Sequence, residues 1–171
     1  MSKRELRKYL KELTKVQLEE QIIDLYERFK PVKEYYDFAF NPKENELIEQ
    51  CRFQISKEYY PVGSRKAKLR RSVAQKWIKK LILLDADASL LADVMLFNIE
   101  IALTFSGEHI IRQESFFTSM YKSFDETLRF VSEKGILGEF KGRIEKIAGD
   151  TWDQQWPNKN AFEDLADIYL Q

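Results

Sequence analysis

The sequence predicts an all-α fold: a single domain over residues 1–171, built from eight or nine helices stacked as successive antiparallel hairpins. Three observations carry this. Apolar residues recur at helical spacing along most of the chain, as in Phe116, Met120, Phe124, Leu128 and Val131. No strand-like alternation and no Asn-Gly hairpin signal occurs. Hydroxyl residues stand three positions before a carboxyl or amide at several helix starts, the pattern by which two orphan amides are satisfied reciprocally. With 171 residues, 44% hydrophobic and 33% charged, the chain is long enough to bury roughly 70% of its unfolded surface without disulfides or metal. The hairpin stacking leaves a solenoid-like arrangement open, although no fixed-period repeat is visible.

Residues 1–30 read as a helical hairpin. Ser2 with Glu5 and Thr14 with Gln17 fit capping boxes, and Leu13 and Leu18 occupy staple positions around the second. The second helix is expected to bury Leu18, Ile22, Leu25, Tyr26 and Phe29. Pro31 then ends or kinks it before "VKEYYDFAF", where Tyr35, Tyr36 and Ala39 share a core face. Asn41, Pro42 and Glu44 open the next helix, which runs to about Tyr59 along Leu47, Ile48, Cys51, Ile55 and Tyr59.

After the break "YPVGS", a basic helix is expected from about Arg65 to Leu84, and an apolar one from about Ala88 to a left-handed cap at Gly107. Residues 64–106 would thus form one hairpin. A helix through Phe116 to Val131 should end at Gly135, and a shorter one with Phe140, Ile144 and Ile147 at Gly149. The C-terminal segment 150–171 holds the irregular stretch "TWDQQWPNKN" and a last short helix, "AFEDLADIYL", with Asn160 and Glu163 as a cap pair.

The formal net charge of zero is a cancellation of unlike blocks. Residues 61–84 carry eight positive charges and no negative, 85–111 five negative and no positive, and 150–171 five negative and one positive. In helical projection Leu69, Val73, Trp77, Leu81 and Leu84 form an apolar face, and Arg65, Lys68, Arg71, Lys76 and Lys79 the opposite one. Arg70 points into the apolar sector. The antiparallel register of the proposed hairpin sets it near Glu100, which predicts a structural Arg70–Glu100 ion pair. Basic residues in a first turn oppose the helix dipole, which marks either a functional surface or the place where an acidic segment, such as "FEDLADIYL", docks.

These patterns exclude several functions. One cysteine, Cys51, and one histidine, His109, leave no internal disulfide, Cys/His zinc site or two-histidine site. Cys51 lies on an apolar stripe and reads as a buried, inert thiol, and His109 as an exposed loop residue. Asp93 and Glu100 lack the Glu-x-x-His pairs of a di-iron bundle. No P-loop, dinucleotide fingerprint or nucleophile elbow is present, so the chain reads as non-enzymatic, with no catalytic residue, metal or cofactor. The charged start has no secretory signal, and "SLLADVMLFNIEIALTF", interrupted by Asp93, Asn98 and Glu100, reads as a core helix rather than a membrane span, which predicts a cytoplasmic protein.

The first reading is a helical module that binds a protein or peptide in a groove beside Trp152 and Trp156. The alternative is a nucleic-acid-associated accessory protein using the basic helix 65–80, supported by Lys3, Arg4, Arg7, Lys8 and Lys11 on the first helix.

Taken together, "YLKELTKVQLEEQIIDLYERFKPVKEYYDFAFNP", "KLRRSVAQKWIKK", "LLADVMLFNIEIALTFS", "FFTSMYKSFDETLRFVSEKGIL" and "FEDLADIY" resemble a family of small uncharacterised bacterial proteins, domain of unknown function family 6155, associated with Bacteroidota. The resemblance spans nearly the whole chain and implies a bacterial cytoplasmic protein. It transfers no activity. Relatives in that family carry more cysteines and a glycine-rich turn where this chain has "TWDQQWPNKN", so no metal-binding role carries over.

Overall fold

The two capping boxes form as the sequence requires. In the computed structural model, which describes residues 2–170, the Ser2 hydroxyl accepts the Glu5 amide while the Glu5 carboxylate accepts the Ser2 amide. Thr14 and Gln17 repeat the exchange. They start α1 (Lys3–Glu12) and α2 (Lys15–Arg28). Phe29, extended at φ −118° and ψ 105°, separates α2 from α3 (Lys30–Phe40). Pro31 lies in the first turn of α3, where its missing N–H costs nothing, so it ends the earlier helix rather than kinking it.

The chain divides into two compact units, residues 1–43 and 44–171. In the first, α2 packs against α3, with Tyr26 and Tyr36 ring to ring at 6.5 Å and the Tyr26 hydroxyl donating to Asp37 Oδ1 at 2.7 Å. No residue of α1, α2 or α3 is buried. This corrects two expectations. Ile22, Leu25 and Phe29 are exposed, with Leu18 and Tyr26 only half-buried. On α3, Tyr36 is half-buried while Tyr35 and Ala39 are exposed. Three short helices supply one layer of packing, and within this unit no second layer covers the apolar stripes.

The second unit comprises α4 (Glu44–Tyr59), α5 (Arg71–Leu83), α6 (Ala88–Glu108), α7 (Glu114–Glu133), α8 (Leu137–Asp153) and α9 (Lys159–Leu170). Its main packed pairs all lie one or two helices apart in the chain: α4 with α5 and α6, α6 with α7 and α8, α9 with α7 and α8. That is how hairpins stacked in sequence order pack. The fold is all-α, with nine helices and no strand among the described residues. α6 is long and apolar enough to cross a membrane by length and composition, yet 56% of that window is buried, against α4, α5, α7 and α8.

Three helices close with the same hydrogen-bond pair. At the ends of α5, α7 and α8, the amides of Asp85, Gly135 and Gln155 return to Ile82, Ser132 and Trp152, and those of Ala86, Ile136 and Trp156 to Leu81, Val131 and Thr151. Gly135 has the expected left-handed φ of 70°, but Asp85 and Gln155 reach φ 55° and 54° without being glycine. Gly107 and Gly149 are not caps. α6 runs through Gly107 to Glu108, where an added Cβ would come within 3.4 Å of Gln154 Nε2. α8 continues past Gly149 to Asp153, and α9 begins at Lys159, before the expected Asn160 cap.

Candidate functional site

The basic helix starts later than its sequence pattern indicates, and this rearranges its charges. Arg71, not Arg65, opens α5. Residues 64–70 are not helical, and Leu69 adopts a left-handed φ of 54°. The cause lies at the end of α4. The Glu58 carbonyl accepts the amides of Lys68 (2.9 Å) and Leu69 (3.3 Å). Its carboxylate accepts the Arg70 amide and both Nε and Nη2 of that guanidinium, at 2.9 and 2.8 Å. Hydrogen bonding from Arg70 holds the Glu58 carboxyl below its ordinary range, against the opposing effect of burial. A run of cations at a helix N-terminus with no side-chain cap offers the helix little there, and the fixed carboxylate takes the segment instead.

The predicted Arg70–Glu100 pair therefore does not form. Glu100 is held by Arg143 of α8, whose Nε and Nη2 reach its two oxygens at 2.7 Å each, while Nη1 donates to Asp93 at 2.8 Å. Arg52 of α4 takes the other Asp93 oxygen. The chain Arg52–Asp93–Arg143–Glu100 ties α4, α6 and α8 together and commits both carboxylates to guanidinium partners. Among the described residues no group of three or more His, Cys, Asp or Glu side chains gathers as a metal site.

The five-residue basic face is likewise dispersed. Arg65 and Lys68 lie in the non-helical segment before α5. Arg71 turns inward, Nε donating to Ser123 Oγ at 3.0 Å and Nη2 pairing with Glu126 at 2.6 Å on α7. The acid at the start of α5 is thus Glu126, not "FEDLADIYL". Lys76 and Lys79 remain on the exposed side of α5.

Trp152 and Trp156 do not share a groove. Because α8 extends through Asp153, Trp152 is helical and 37% exposed. Its Nε1 donates to Glu163 at 3.1 Å and its ring lies under Lys159 Nζ at 4.2 Å. It lines a cleft of about 540 Å³ between α8 and α9. The left-handed Gln155 turns the chain so that Trp156 enters the core, 3% exposed, edge-on to Phe116, Phe117 and Phe162. Anchoring is its role.

Cys51 is fully buried, and burial pushes its thiol up to about 11, so no reactive thiolate is available there. His109 is exposed and stacks on Phe105 at 4.1 Å, with Nδ1 3.1 Å from the Phe105 carbonyl.

An uncommitted apolar surface lies in the first unit, where the sequence reading placed a core. Ile22, Ile23, Tyr26, Tyr36 and Phe40, with Asp37 and Asn41 at the rim, line an apolar groove of about 600 Å³. Phe40, stacked on Tyr36 at 6.2 Å, is 85% exposed. On α1, Lys3, Arg4, Arg7, Lys8 and Lys11 line one depression, and among the described residues none of the five has an ion-pair partner. Leu6 and Tyr9 on the neighbouring face are each 43% exposed. Helical periodicity marked these residues as apolar but carries no information on whether a second layer exists to cover them.

A model for a family of unknown function, DUF6155, matches residues 1–170. No curated protein and no solved structure matches the chain.

Proposed function

The chain belongs to DUF6155, and from that premise we propose that it is a non-enzymatic protein-interaction module whose docking surface is the apolar side of α2 and α3. One observation carries the reading: no side chain of α1, α2 or α3 is buried, although the groove residues Ile22, Ile23 and Phe40 are large and apolar. An exposed apolar groove with a polar rim is the usual mark of a helix- or peptide-binding surface. The second unit supports this as scaffold. Six of its charged side chains are bound to one another, in the Arg52–Asp93–Arg143–Glu100 chain and the Arg71–Glu126 pair, and stacked hairpins are a frequent basis for protein binding. A bacterial cytoplasmic setting is part of the same proposal.

The test is affinity capture from the native host with the full chain, comparing wild type with Phe40→Asp and Trp152→Ala, and identifying what each retains by mass spectrometry. Phe40→Asp should lose a defined protein that Trp152→Ala keeps. Recovery of the same set by all three overturns the groove.

A second reading, nucleic-acid association, now rests on α1, whose five cations line one depression, whereas those of residues 65–80 are split between a non-helical segment and α5. It requires a mobility shift with nonspecific RNA or DNA at low salt that weakens steeply as salt rises and is lost in Arg4→Glu/Arg7→Glu. The absence of any shift at low salt removes it.

A further inference from the structure

The groove and α1 are complementary to each other, and their own chain cannot bring them together. Five cations and two carboxylates give α1 a net charge of +3, whereas α2, with two cations and four carboxylates, carries −2. In projection the α1 cations flank the stripe Leu6, Tyr9 and Leu10 on one side. On α2, Glu19, Glu20 and Glu27 similarly flank Ile23 at the edge of the groove. Leu6, Tyr9 and Leu10 have the i, i+3, i+4 spacing of a helix that lies in an apolar groove. Yet only Leu13 and Thr14 separate α1 from α2. That short link keeps α1 beside Gln21, whose amide donates to the Tyr9 hydroxyl at 2.6 Å, roughly a quarter-turn round α2 from the groove residue Ile22.

We propose that the chain forms a two-fold homodimer in which α1 of each copy lies in the α2–α3 groove of the other. This rests on the docking reading above and names its occupant. Leu6, Tyr9, Ile22, Ile23 and Phe40, at their observed exposures, offer roughly 400 Å² of apolar surface per copy, or roughly 800 Å² across the pair before polar rims, near the ~1,000 Å² that a specific interface needs. The contact is isologous and closed, since each copy supplies one helix and one groove.

Sedimentation velocity on the full chain from about 1 to about 100 µM tests it. A dimer is expected, dissociating more readily at high salt. Phe40→Asp should raise its dissociation constant at least about tenfold. Phe40 is so exposed that the variant should keep the wild-type circular dichroism spectrum. The sharper arm uses two charge-reversed chains, Arg4→Glu/Arg7→Glu/Lys8→Glu and Glu19→Lys/Glu20→Lys/Glu27→Lys. Each should be monomeric alone, and the two mixed should restore a heterodimer, because both helix-groove contacts then pair unlike charges. A wild-type chain monomeric at about 100 µM, or a dimer indifferent to all three variants, overturns the proposal. So does nucleic acid retained by the wild type and released by the Arg4/Arg7/Lys8 reversal, which would give those cations to phosphate. If the chain is monomeric but Phe40→Asp still loses a captured protein, the second copy fails and the docking reading stands; if nothing is lost, both fail.

Discussion

Phe124 and Phe40 are the same side chain on helices of similar amphipathic pattern, and they meet opposite fates. Phe124 of α7 is fully buried, stacked on Phe162 of α9 at 5.0 Å; Phe40 of α3 projects into an open groove. Each helix of the second unit packs on at least two others, so its apolar stripe is covered from more than one side. In the first unit α2 and α3 chiefly cover each other. Amphipathic sequence supplies apolar surface in both places, but only a second layer of helices turns it into a core. The difference separates a part that maintains the fold from a part whose apolar side chains stay exposed.

The strongest way to break this comparison is to truncate both phenylalanines. Phe124→Ala should cost about 3–5 kcal/mol in chemical denaturation, whereas Phe40→Ala should stay within about 0.5 kcal/mol of wild type. Similar losses would mean that the first unit carries a core after all.

Next in size is the ion-pair chain. Arg143→Ala leaves Asp93 and Glu100 without their guanidinium partner in a partly buried setting and should cost about 2 kcal/mol. A double-mutant cycle between Arg143 and Glu100 should show coupling of about 1 kcal/mol, and one between Arg70 and Glu100 none beyond about 0.3 kcal/mol. The reverse result would restore the pairing that the sequence predicts.

Glu58→Gln should cost about 1–2 kcal/mol near neutral pH, because it discards the charge that Arg70 binds. The dependence on pH has a definite sign. Arg70 lowers the folded-state pKa of Glu58 below its ordinary 4.5, so the carboxylate contributes fully above that value and its contribution fades as pH falls through the folded value. The gap between wild type and Glu58→Gln should narrow in acid; a gap constant down to pH ~3 would contradict the clamp.

The smallest effect is a gain. Asp85→Gly relieves a non-glycine left-handed cap at an exposed position and should add about 0.5–1 kcal/mol, read from the melting temperature.

Much of the second unit was legible because its signals are local. The stripe Ile48, Cys51, Ile55 and Tyr59, the Gly135 cap and the long α7 all follow from spacing. The first-unit capping boxes were equally readable. What was not legible depended on partners distant in sequence. The start of α5 is decided by Glu58, the partner of Glu100 by Arg143 forty-three residues away, and the burial of Trp156 by a left-handed Gln155 that no glycine announced. The candidate surface was read as a core for the same reason: periodicity reports which side of a helix is apolar, not whether anything lies against it.

The Glu58–Arg70 contact has one more consequence. It closes the chain from the end of α4 to the start of α5 into a loop fastened at its base, with Gly63 at its tip in a left-handed turn (φ 77°) and open space around it. For a loop tied at both ends, doubling its length adds only about 0.6 kcal/mol of closure entropy. The junction of Gly63 and Ser64 is therefore a natural insertion point for a reporter sequence. A fluorescent label or epitope placed there would report on the second unit and leave the sequence of α1, α2 and α3 unaltered.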